Sequence, residues 1–332
     1  MFYSIIIPVQ NINDYIIETC SRLRALDNKN FEVLIFPDIL EKNNDEMERT
    51  LGAKIVASGK VSPAVKRDMA MKYAKGDILA FIDDDAYPQK NWLNVAEQYL
   101  KNDNMIAAIG GPQLTPSHDS FWQRVSGAVF LSPLSGSALI RYWPGTRIQE
   151  VDDWPSVNFL VRKDDFIKIG GFDSHHWPGE DTKLCLDITR KLGKKILYIP
   201  DLIVYHHRRT GLRKHLRQIG NYGLHRGYFA KKFPETSRKF IYFIPSIFVL
   251  SIVSGIMASF LYRPLAKLFL FGLTIYVLTI FLTTIFVWRK VKHFLISAAT
   301  IPYLILTHIW YGVRFMQGFL FTKDLKSKLR KG

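Results

Sequence analysis

The sequence predicts an α/β domain with a mainly parallel sheet, followed by a helical membrane region. Three observations predict this fold class. Short apolar, β-branched runs alternate with helical patterns as far as residue 205. The stretch 240–321 is then mostly apolar and aromatic. The chain of 332 residues has a net charge of +16, and many of its Lys and Arg residues lie just before that stretch. Basic residues next to a membrane segment favour the cytoplasmic side of the membrane.

Strands and helices alternate in the first part of the chain. Four strands are predicted at 3–9, 31–36, 55–57 and 77–82, with helices between them at 14–26 and 63–73. In open α/β sheets, ligands bind beyond the carboxyl ends of the strands. Asp38 follows the second strand, and the run Asp83-Asp84-Asp85 follows the fourth. A ligand site is therefore expected at this edge of the sheet.

The remainder of the first part is less regular. Further strands are predicted at 105–109, 157–161, 196–199 and 202–205, and a helix at 180–192 that Gly193 closes. Residues 113–150 scatter Pro, Gly and Ser among aromatic residues. No regular element is predicted there.

Three long apolar stretches follow, at about 240–262, 265–288 and 294–321. A membrane span needs roughly 20 apolar residues, which the first two stretches provide. The third carries His308 and Arg314, so it can be either a span or a half-buried helix. Three spans would export the basic C-terminal sequence "KDLKSKLRKG", whereas two spans and an interfacial helix would keep it inside. The sequence leaves this choice open.

Residues 211–239 form a basic amphipathic stretch. Leu212, Leu216 and Ile219 give an apolar stripe on a helix that is otherwise rich in Lys and Arg. Such a helix is expected to lie on the membrane surface, although an ordinary basic surface helix has the same pattern. We do not expect a nucleic-acid partner, because no helix-turn-helix, zinc finger or aromatic RNA-binding motif is present.

The three consecutive carboxylates Asp83, Asp84 and Asp85 repel one another unless cations or a metal ion neutralise them. Two carboxylates at i and i+2 after a strand can hold a hard divalent ion through oxygen ligands. Such an ion can bridge the phosphate oxygens of a nucleotide. The alternative is a solvated acidic turn, and the buried strand before the run favours the metal site.

Three further groups of polar residues can carry chemistry. Lys66-Arg67 at a helix start suits diphosphate or base contacts. Glu180-Asp181 opens a helix after a Pro-Gly turn, where a carboxylate can take a proton from a hydroxyl. Lys66-Arg67 also fits an ordinary solvated helix surface. Glu180-Asp181 also fits an ordinary first helical turn, because acidic residues there complement the helix dipole.

The third group is His206-His207-Arg208-Arg209, which follows a strand. One imidazole can complete the shell of a metal ion, and the arginines can bind phosphate. A basic patch beside the membrane has the same composition. The order of all these groups along the chain is a stronger indication than any one of them.

Together these groups resemble a family 2 glycosyltransferase of the GT-A fold, over about residues 1–230. The matching pieces are "SIIIPVQN", "KRDMAMKYAKGDILAFIDDDAYPQKNWL", "NFLVRKDDFIKIGGFD", "PGEDTKLCLDITRKLGKKILYIPDLIVYHHRR" and "GNYGLHRG". The resemblance implies a Rossmann-like nucleotide-diphospho-sugar transferase domain. It also implies a nucleoside diphosphate sugar donor, a divalent Mn or Mg ion, and direct displacement with inversion.

The resemblance also implies roles for individual residues. Asp83 and Asp85 match the DxD pair, with Asp85 as the direct metal ligand. Asp181 matches the catalytic base and Glu180 would help to hold the acceptor. His206 matches the late metal ligand, and His207 stays an open alternative. Donor contacts are expected from Pro8, Gln10, Asp38, Lys66, Arg67, Asp83, Asp84, Asn158, Arg208 and Arg209.

The chain departs from the family pattern at three places. An Asn-Glu pair usually follows the first strand, and Gln10-Asn11 stands here. An acidic-Ser turn often follows the second strand, and Pro37-Asp38 stands here. The Gln-x-x-Arg-Trp of processive synthases is absent, and "RQIGNYGLHRG" occupies its place. We therefore expect transfer of a single sugar, with some change in the nucleoside contacts.

We accordingly expect four segments: a GT-A catalytic domain at 1–210, an interfacial segment at 211–239, two or three membrane helices at 240–321, and a basic tail at 322–332. Catalysis is expected at the cytoplasmic face of the inner membrane. A base at Asp181 implies a hydroxyl acceptor on a lipid-linked or cell-surface glycan precursor, because a polyprenyl phosphate needs no base. The alternatives are a polyprenyl-phosphate glycosyltransferase and a non-catalytic membrane protein that binds nucleotide sugars.

Overall fold

The computed structural model describes residues 1–40, 43–176 and 178–325 of the chain. These residues form two compact units. The sheet unit comprises 1–114 and 143–207, and the helical unit comprises 115–142 and 208–325. The sequence-based segments at 1–210 and 211–239 therefore differ from this division mainly at 115–142, which belongs to the helical unit.

The strands of the described residues are, in chain order, β1 (Tyr3–Pro8), β2 (Phe31–Phe36), β3 (Lys54–Ile55), β4 (Ile78–Phe81), β5 (Ala86–Pro88), β6 (Ile106–Gly110), β7 (Gln113–Leu114), β8 (Gln149–Glu150), β9 (Phe159–Arg162), β10 (Lys195–Tyr198) and β11 (Val204–His206). The helices are α1 (Asp14–Arg24), α2 (Asn44–Leu51), α3 (Pro63–Asp68), α4 (Ala70–Tyr73), α5 (Trp92–Leu100), α6 (Phe121–Phe130), α7 (Leu139–Tyr142), α8 (Lys163–Lys168), α9 (Glu180–Arg190), α10 (Leu212–Lys232), α11 (Pro234–Ser237), α12 (Phe240–Leu261), α13 (Arg263–Val291) and α14 (Phe294–Met316).

The main sheet has the strand order β3-β2-β1-β4-β9-β6-β10-β8. β3, β2, β1 and β4 are parallel, and β9 runs antiparallel between β4 and β6. Every residue of β1 is buried, which explains its continuous apolar run. The predicted α/β domain with a mainly parallel sheet is confirmed, and antiparallel pairing of β9 and β8 makes the sheet mixed.

A second, smaller sheet has the order β5-β11-β7. β5 begins directly after Asp85, and β11 pairs with it in the antiparallel direction. β7 pairs with the other edge of β11 in the parallel direction. This small sheet positions Asp85, His206 and Gln113, which are discussed below.

Capping side chains define where the helices near the sheet edge begin. The Asn13 carboxamide accepts a hydrogen bond from the Ile16 backbone at 3.1 Å and starts α1. The Ser62 hydroxyl accepts one from Val65 at 3.4 Å, and Pro63 occupies the first position of α3. Both helix starts therefore lie beside the carboxyl ends of the strands, as the sequence predicts.

Residues 113–150, for which no regular element is predicted, contain the helices α6 and α7 and the short strands β7 and β8. α6 begins with a capping box, in which Ser120 and Gln123 satisfy each other's backbone donors. Its buried residues Val125 and Val129 pack in a cluster with residues of α13 and α14. The weak helix formers Ser126 and Gly127 hide this apolar face in the sequence.

Three helices of the described residues are long and apolar enough to cross a membrane. They are α12, α13 and the continuous segment Phe294–Phe321, whose last five residues form a π-helix. Length and composition therefore indicate association with a membrane. Leu250, Leu270 and Leu295 are more than half exposed, as expected for side chains that meet lipid.

Candidate functional site

Two carboxylates and one imidazole meet where β4 ends. Asp83, Asp85 and His206 each offer one ligand atom, and these atoms all lie within 4.8 Å of one another. The small sheet explains the meeting, because His206 pairs with Ala86, directly after Asp85. His206 Nε2 lies 3.0 Å from Asp85 Oδ1. The structure therefore brings the three predicted metal ligands together.

A contact at the ring nitrogen away from Asp85 fixes the orientation of the His206 ring. Its Nδ1 lies 2.5 Å from the Gln113 side-chain oxygen. Because that oxygen can only accept, Nδ1 donates to it, and this fixes the ring with Nε2 directed at Asp85, where Nε2 could offer a lone pair to a metal ion. Sequence reasoning missed Gln113, since its only signal is its place after the strand β6.

His207 faces a different part of the sheet unit. Its Nε2 lies 3.1 Å from Glu18 Oε2, and its ring packs against those of Tyr15 and Tyr87, with centroids 4.6 and 5.8 Å away. His206 is the last residue of β11 and His207 directly follows it, and successive side chains at the end of a strand point to opposite faces. Of the two histidines that the sequence left open, His206 is therefore the one that lies at the carboxylates.

Arg67 joins the aspartate run to the acidic pair on α9. One of its terminal nitrogens, Nη2, lies 2.6 Å from Asp83 Oδ1, and the other, Nη1, lies 3.3 Å from Glu180 Oε1. Its guanidinium lies 5.6 Å from the centre of the Phe172 ring. The Arg67 side chain is buried, and its Nε has no hydrogen-bond partner among residues 1–40, 43–176 and 178–325. The site thus has one buried cation between two acidic groups.

Glu180 and Asp181 open α9 directly after Gly179, whose φ of 133° favours glycine. The Gly179 N–H donates to Glu180 Oε2 at 2.9 Å. Burial, followed by the charge of Asp181, raises the pKa of Glu180 to about 8, although Arg67 opposes this shift. Glu180 is therefore held by Arg67 and by the turn before the helix.

Burial also raises the pKa of Asp181, against the opposing effects of Arg67 and of hydrogen bonds from Ser156. Asp181 is half-buried as a residue, but its Oδ1 is inaccessible to solvent. This oxygen has no hydrogen-bond partner in the described part of the chain. An ionised carboxylate in such a place accepts a proton readily. Ser156 is a second residue that sequence reasoning missed.

The expected nucleoside residues meet at the ends of β1 and β2. The Lys66 ammonium forms an ion pair with Asp38 and donates to the Val9 carbonyl at 2.5 Å. The Asp38 N–H donates to the Gln10 carbonyl at 3.0 Å. Pro8 ends β1 beside them. Lys66 thus neutralises Asp38 and ties it to the backbone.

Asp84 and Asn158 have other contacts. Asp84 Oδ2 lies 3.3 Å from the carboxamide nitrogen of Asn13, the residue that caps α1. Asn158 is fully buried, and its carboxamide donates to the carbonyls of Pro112 and Leu202 and accepts from the Trp92 indole. Packing between strands accounts for Asn158, although the sequence places it among the donor contacts.

Arg208 and Arg209 belong to the helical unit. The Arg208 Nε donates to the Thr115 hydroxyl at 3.1 Å, and its guanidinium lies 4.9 Å from the centre of the Tyr142 ring. The Arg208 backbone N–H donates to Asp119. Arg209 is exposed. Phosphate contact by either arginine stays a prediction.

Two glycosyltransferases are similar to parts of this chain. A dolichyl N-acetyl-alpha-D-glucosaminyl phosphate 3-beta-D-2,3-diacetamido-2,3-dideoxy-beta-D-glucuronosyltransferase of Methanococcus voltae is 23% identical over 249 residues, which cover 70% of this chain and 74% of that protein. A glucosyl-dolichyl phosphate glucuronosyltransferase of Haloferax volcanii is 23% identical over 155 residues, or 42% of this chain and 46% of that protein.

A solved structure shares the fold over nearly the whole chain. It is the mannosyltransferase PcManGT of Pyrobaculum calidifontis in complex with GDP-Man and Mn2+. Its TM-score is 0.66 at 16% identity, and the alignment covers 97% of this chain and 88% of that chain.

The family itself is established by sequence. The family described as "Glycosyl transferase family 2" matches residues 4–170, which is just over half of the chain. This range contains the aspartate run and Arg67. The predicted GT-A fold and enzyme class are confirmed, and the chain belongs to glycosyl transferase family 2.

Proposed function

We propose that this glycosyltransferase moves one sugar, with inversion, from a nucleoside diphosphate sugar to a hydroxyl of a lipid-linked or cell-surface glycan precursor. One observation carries the proposal. Arg67 contacts both Asp83 of the aspartate cluster and Glu180 beside Asp181. A donor held at the aspartate cluster and a base at Asp181 would then lie on opposite sides of the Arg67 guanidinium.

Asp83, Asp85 and His206 would hold the divalent ion. Carboxylates suit Mg and Mn, whereas an imidazole ligand suits a transition metal, so this donor set favours Mn2+ over Mg2+. When bound, the ion supplies positive charge that steadies the diphosphate as it leaves. Gln113 supports the fit, because it holds the His206 ring with Nε2 toward the carboxylates.

Asp181 would act as the base. Its carboxylate takes the proton of the acceptor hydroxyl while the hydroxyl oxygen bonds to the anomeric carbon of the sugar. The bond from that carbon to the diphosphate oxygen breaks, and the electron pair leaves with the diphosphate. Attack from the opposite face inverts the anomeric carbon. Glu180, held by Arg67 and Gly179, would position the acceptor.

The acceptor class is supported by the relatives. The names of the Methanococcus voltae and Haloferax volcanii proteins both describe a dolichyl phosphate that already carries a sugar. A sugar hydroxyl is a weak nucleophile and needs a base, whereas a bare polyprenyl phosphate does not. We therefore propose a sugar-bearing polyprenyl phosphate or diphosphate as the lipid-linked acceptor.

Transfer would occur at the cytoplasmic face of the inner membrane. The chain before α12 carries the cations Arg238 and Lys239 as well as those of α10. Lys and Arg next to a span favour the cytoplasmic side and attract anionic lipids.

The acceptor assay tests the proposal. Detergent-purified protein is given radiolabelled nucleotide sugars with Mn2+ and either a sugar-bearing polyprenyl phosphate or bare polyprenyl phosphate. We expect transfer to the first, and a loss of 100-fold or more in Asp181→Asn. Asp164→Asn, a change of an exposed acid on α8, is the matched control and should keep full activity. Transfer to bare polyprenyl phosphate alone, unaffected by Asp181→Asn, would contradict the proposal.

A further inference from the structure

Asp68 is a half-buried acid beside the site. It is the last residue of α3 and directly follows Arg67, the cation between the two acidic groups. Burial raises the pKa of Asp68 to about 7, and the charge of Asp173 adds to this shift, whereas the Phe172 N–H and Arg67 oppose it. Carboxyls with strongly shifted pKa values are common at functional sites, so Asp68 is a candidate for a role in the reaction.

The Asp68 carboxylate holds the backbone of the turn that follows α8. Its Oδ1 accepts a hydrogen bond from the Phe172 N–H at 2.7 Å. The turn is formed by Gly170 and Gly171, whose φ values of 84° and 76° lie in the left-handed region. A Cβ on Gly171 would lie 2.4 Å from the same carboxylate oxygen. Glycine at this position therefore allows the carboxylate to reach the backbone.

The ring of Phe172 lies against the guanidinium of Arg67. The guanidinium is 5.6 Å from the centre of that ring, within the range of a cation–π contact. The ring also packs at 5.2 Å against Phe81, the last residue of β4, and at 5.5 Å against Phe166 of α8. Phe81 and Phe166 are fully buried, and Phe172 is nearly so. The ring is thus held by close-packed neighbours, and it offers the guanidinium a fixed surface.

Arg67 and Asp68 hold the two ends of the segment between Phe172 and α9. Asp68 binds the Phe172 backbone at its start, and Arg67 Nη1 lies 3.3 Å from Glu180 Oε1 at its end. Two adjacent residues of α3 therefore fix where this segment begins and where α9 begins. Because Asp181 directly follows Glu180, the start of α9 sets the position of the proposed base.

These contacts form a path from Asp68 to the acidic pair on α9. Without the Asp68 carboxylate, the Phe172 backbone would lose its anchor, and the ring would shift against the guanidinium. The Nε of Arg67 is buried and has no hydrogen-bond partner in the part of the chain that the structure describes. The orientation of the guanidinium between Asp83 and Glu180 therefore depends on the few contacts that remain. A misplacement of about 1 Å can cost roughly 100-fold in rate.

We propose that Asp68 is a positioning residue for sugar transfer, which holds Phe172 so that its ring orients Arg67. Arg67 in turn fixes the start of α9, where Glu180 and Asp181 lie. The proposal rests on the proposed function, because it takes Asp181 as the base. Asp68 acts through its neighbours and not on the donor itself, so its loss should lower kcat more than it raises the KM for the donor.

Glu32 provides a matched control for a purely structural role. Its carboxylate is also half-buried, and it accepts a hydrogen bond from the Lys75 backbone N–H at 2.5 Å. Glu32 lies near the start of β2, whereas the site lies at the carboxyl ends of the strands. Removal of either carboxylate therefore breaks a similar contact, but only the contact of Asp68 leads to Arg67.

Steady-state kinetics of detergent-purified, full-length variants test the proposal. Each variant is assayed with Mn2+ and with the nucleotide sugar and acceptor that the native chain uses. We expect Asp68→Ala to lower kcat about tenfold or more, with the donor KM changed by less than about threefold. Asp68→Asn keeps an oxygen that can accept from the Phe172 N–H, and it should restore most of the native kcat.

Glu32→Ala should lower the melting temperature but keep the native kcat. The proposal is overturned if folded Asp68→Ala has the native kcat, or if Glu32→Ala loses kcat to the same extent. It is also overturned if Asp68→Ala raises only the donor KM.

A double-mutant cycle tests the path through the ring. Phe172→Leu keeps the N–H that Asp68 binds but removes the ring beside Arg67, so its kcat should also fall, even if Asp68→Ala does not fold. We expect the kcat of Asp68→Ala/Phe172→Leu to be close to that of the weaker single variant, because both changes act through one ring. Losses that multiply in the double variant would show that Asp68 acts by another route.

Hydrogen exchange separates this proposal from the proposed function. Exchange is followed by mass spectrometry without substrate, in peptides that cover 166–173 and 179–190. We expect faster exchange of both peptides in Asp68→Ala and of neither in Glu32→Ala. Native exchange at 179–190 in Asp68→Ala would overturn the positioning role, whichever acceptor the chain uses. If both peptides respond but the native chain transfers no sugar to a hydroxyl, the proposed function fails and the path from Asp68 to α9 stands.

Discussion

The guanidinium of Arg67 lies 2.6 Å from the carboxylate of Asp83, and this pair links the two acidic parts of the site. The same guanidinium contacts Glu180 on its other side. The opposite charge lowers the repulsion among the aspartates that follow β4. It also holds Glu180, the neighbour of the proposed base Asp181, near the groups that would hold the donor.

Replacing Arg67 by Lys is expected to lower kcat by 100-fold or more. A lysine keeps one positive charge but cannot contact Asp83 and Glu180 with two separate nitrogens. Steady-state kinetics with thermal unfolding would measure the effect. Lys163→Arg, outside the site, is a control for side-chain exchange. A variant with unchanged kcat would show that the two acidic groups work without this bridge.

Glu180→Gln is expected to stabilise the protein at alkaline pH. Because burial raises the folded-state pKa of Glu180 to about 8, its ionisation costs stability as the pH rises from about 4.5 to that value. The neutral glutamine avoids this cost, and one pKa unit corresponds to about 1.4 kcal/mol. The melting temperature of the variant should therefore exceed that of the native chain at pH 9. The two should converge near pH 4, and a difference independent of pH would contradict the assignment.

Lys66→Met is expected to destabilise the fold by about 3 kcal/mol, because it leaves the Asp38 carboxylate, whose side chain is only 11% exposed, without its cation. Denaturant unfolding measures the change. In the double variant Lys66→Met/Asp38→Asn the loss should be clearly smaller, since no unpaired charge remains. Equal losses in the single and double variants would show that packing of the lysine stem, and not its charge, matters.

Gln113→Ala is expected to weaken Mn2+ binding by 10- to 100-fold without removing a ligand, because the His206 ring loses the group that orients it. Electron paramagnetic resonance of free Mn2+ gives the affinity without any assay of activity. His207→Asn is the matched control and should bind Mn2+ as the native chain does. Equal affinity in Gln113→Ala and the native chain would argue against His206 as a ligand.

The sequence predicts much of the fold because local patterns coincide with burial. β1 and β2 are apolar runs, and α1 and α9 start at recognisable caps or turns. The strand β5 escapes prediction because Ala86–Pro88 is short and its pairing with β11 is distant in the sequence. α6 escapes because its partners in α13 and α14 come about 150 residues later in the chain.

The candidate site shows the same division. The aspartate run is visible in the sequence because charged residues directly after a buried strand are conspicuous, and Lys66-Arg67 and Glu180-Asp181 are visible because they lie near the starts of helices. The choice between His206 and His207 depends on strand pairing, which the sequence does not specify. The contacts of Gln113 and Ser156 also depend on tertiary structure, because both residues are chemically ordinary.

Calorimetric titration of the detergent-purified chain with UDP, GDP, dTDP and CDP, each with Mn2+ or with EDTA, tests the central claim most directly. We predict that one nucleotide binds with Mn2+ but not with EDTA, and that Asp85→Asn loses this binding while Asp164→Asn keeps it. If a well-folded sample binds none of the four, or binds one equally well with EDTA, the cluster of Asp83, Asp85 and His206 does not hold a donor through a metal ion.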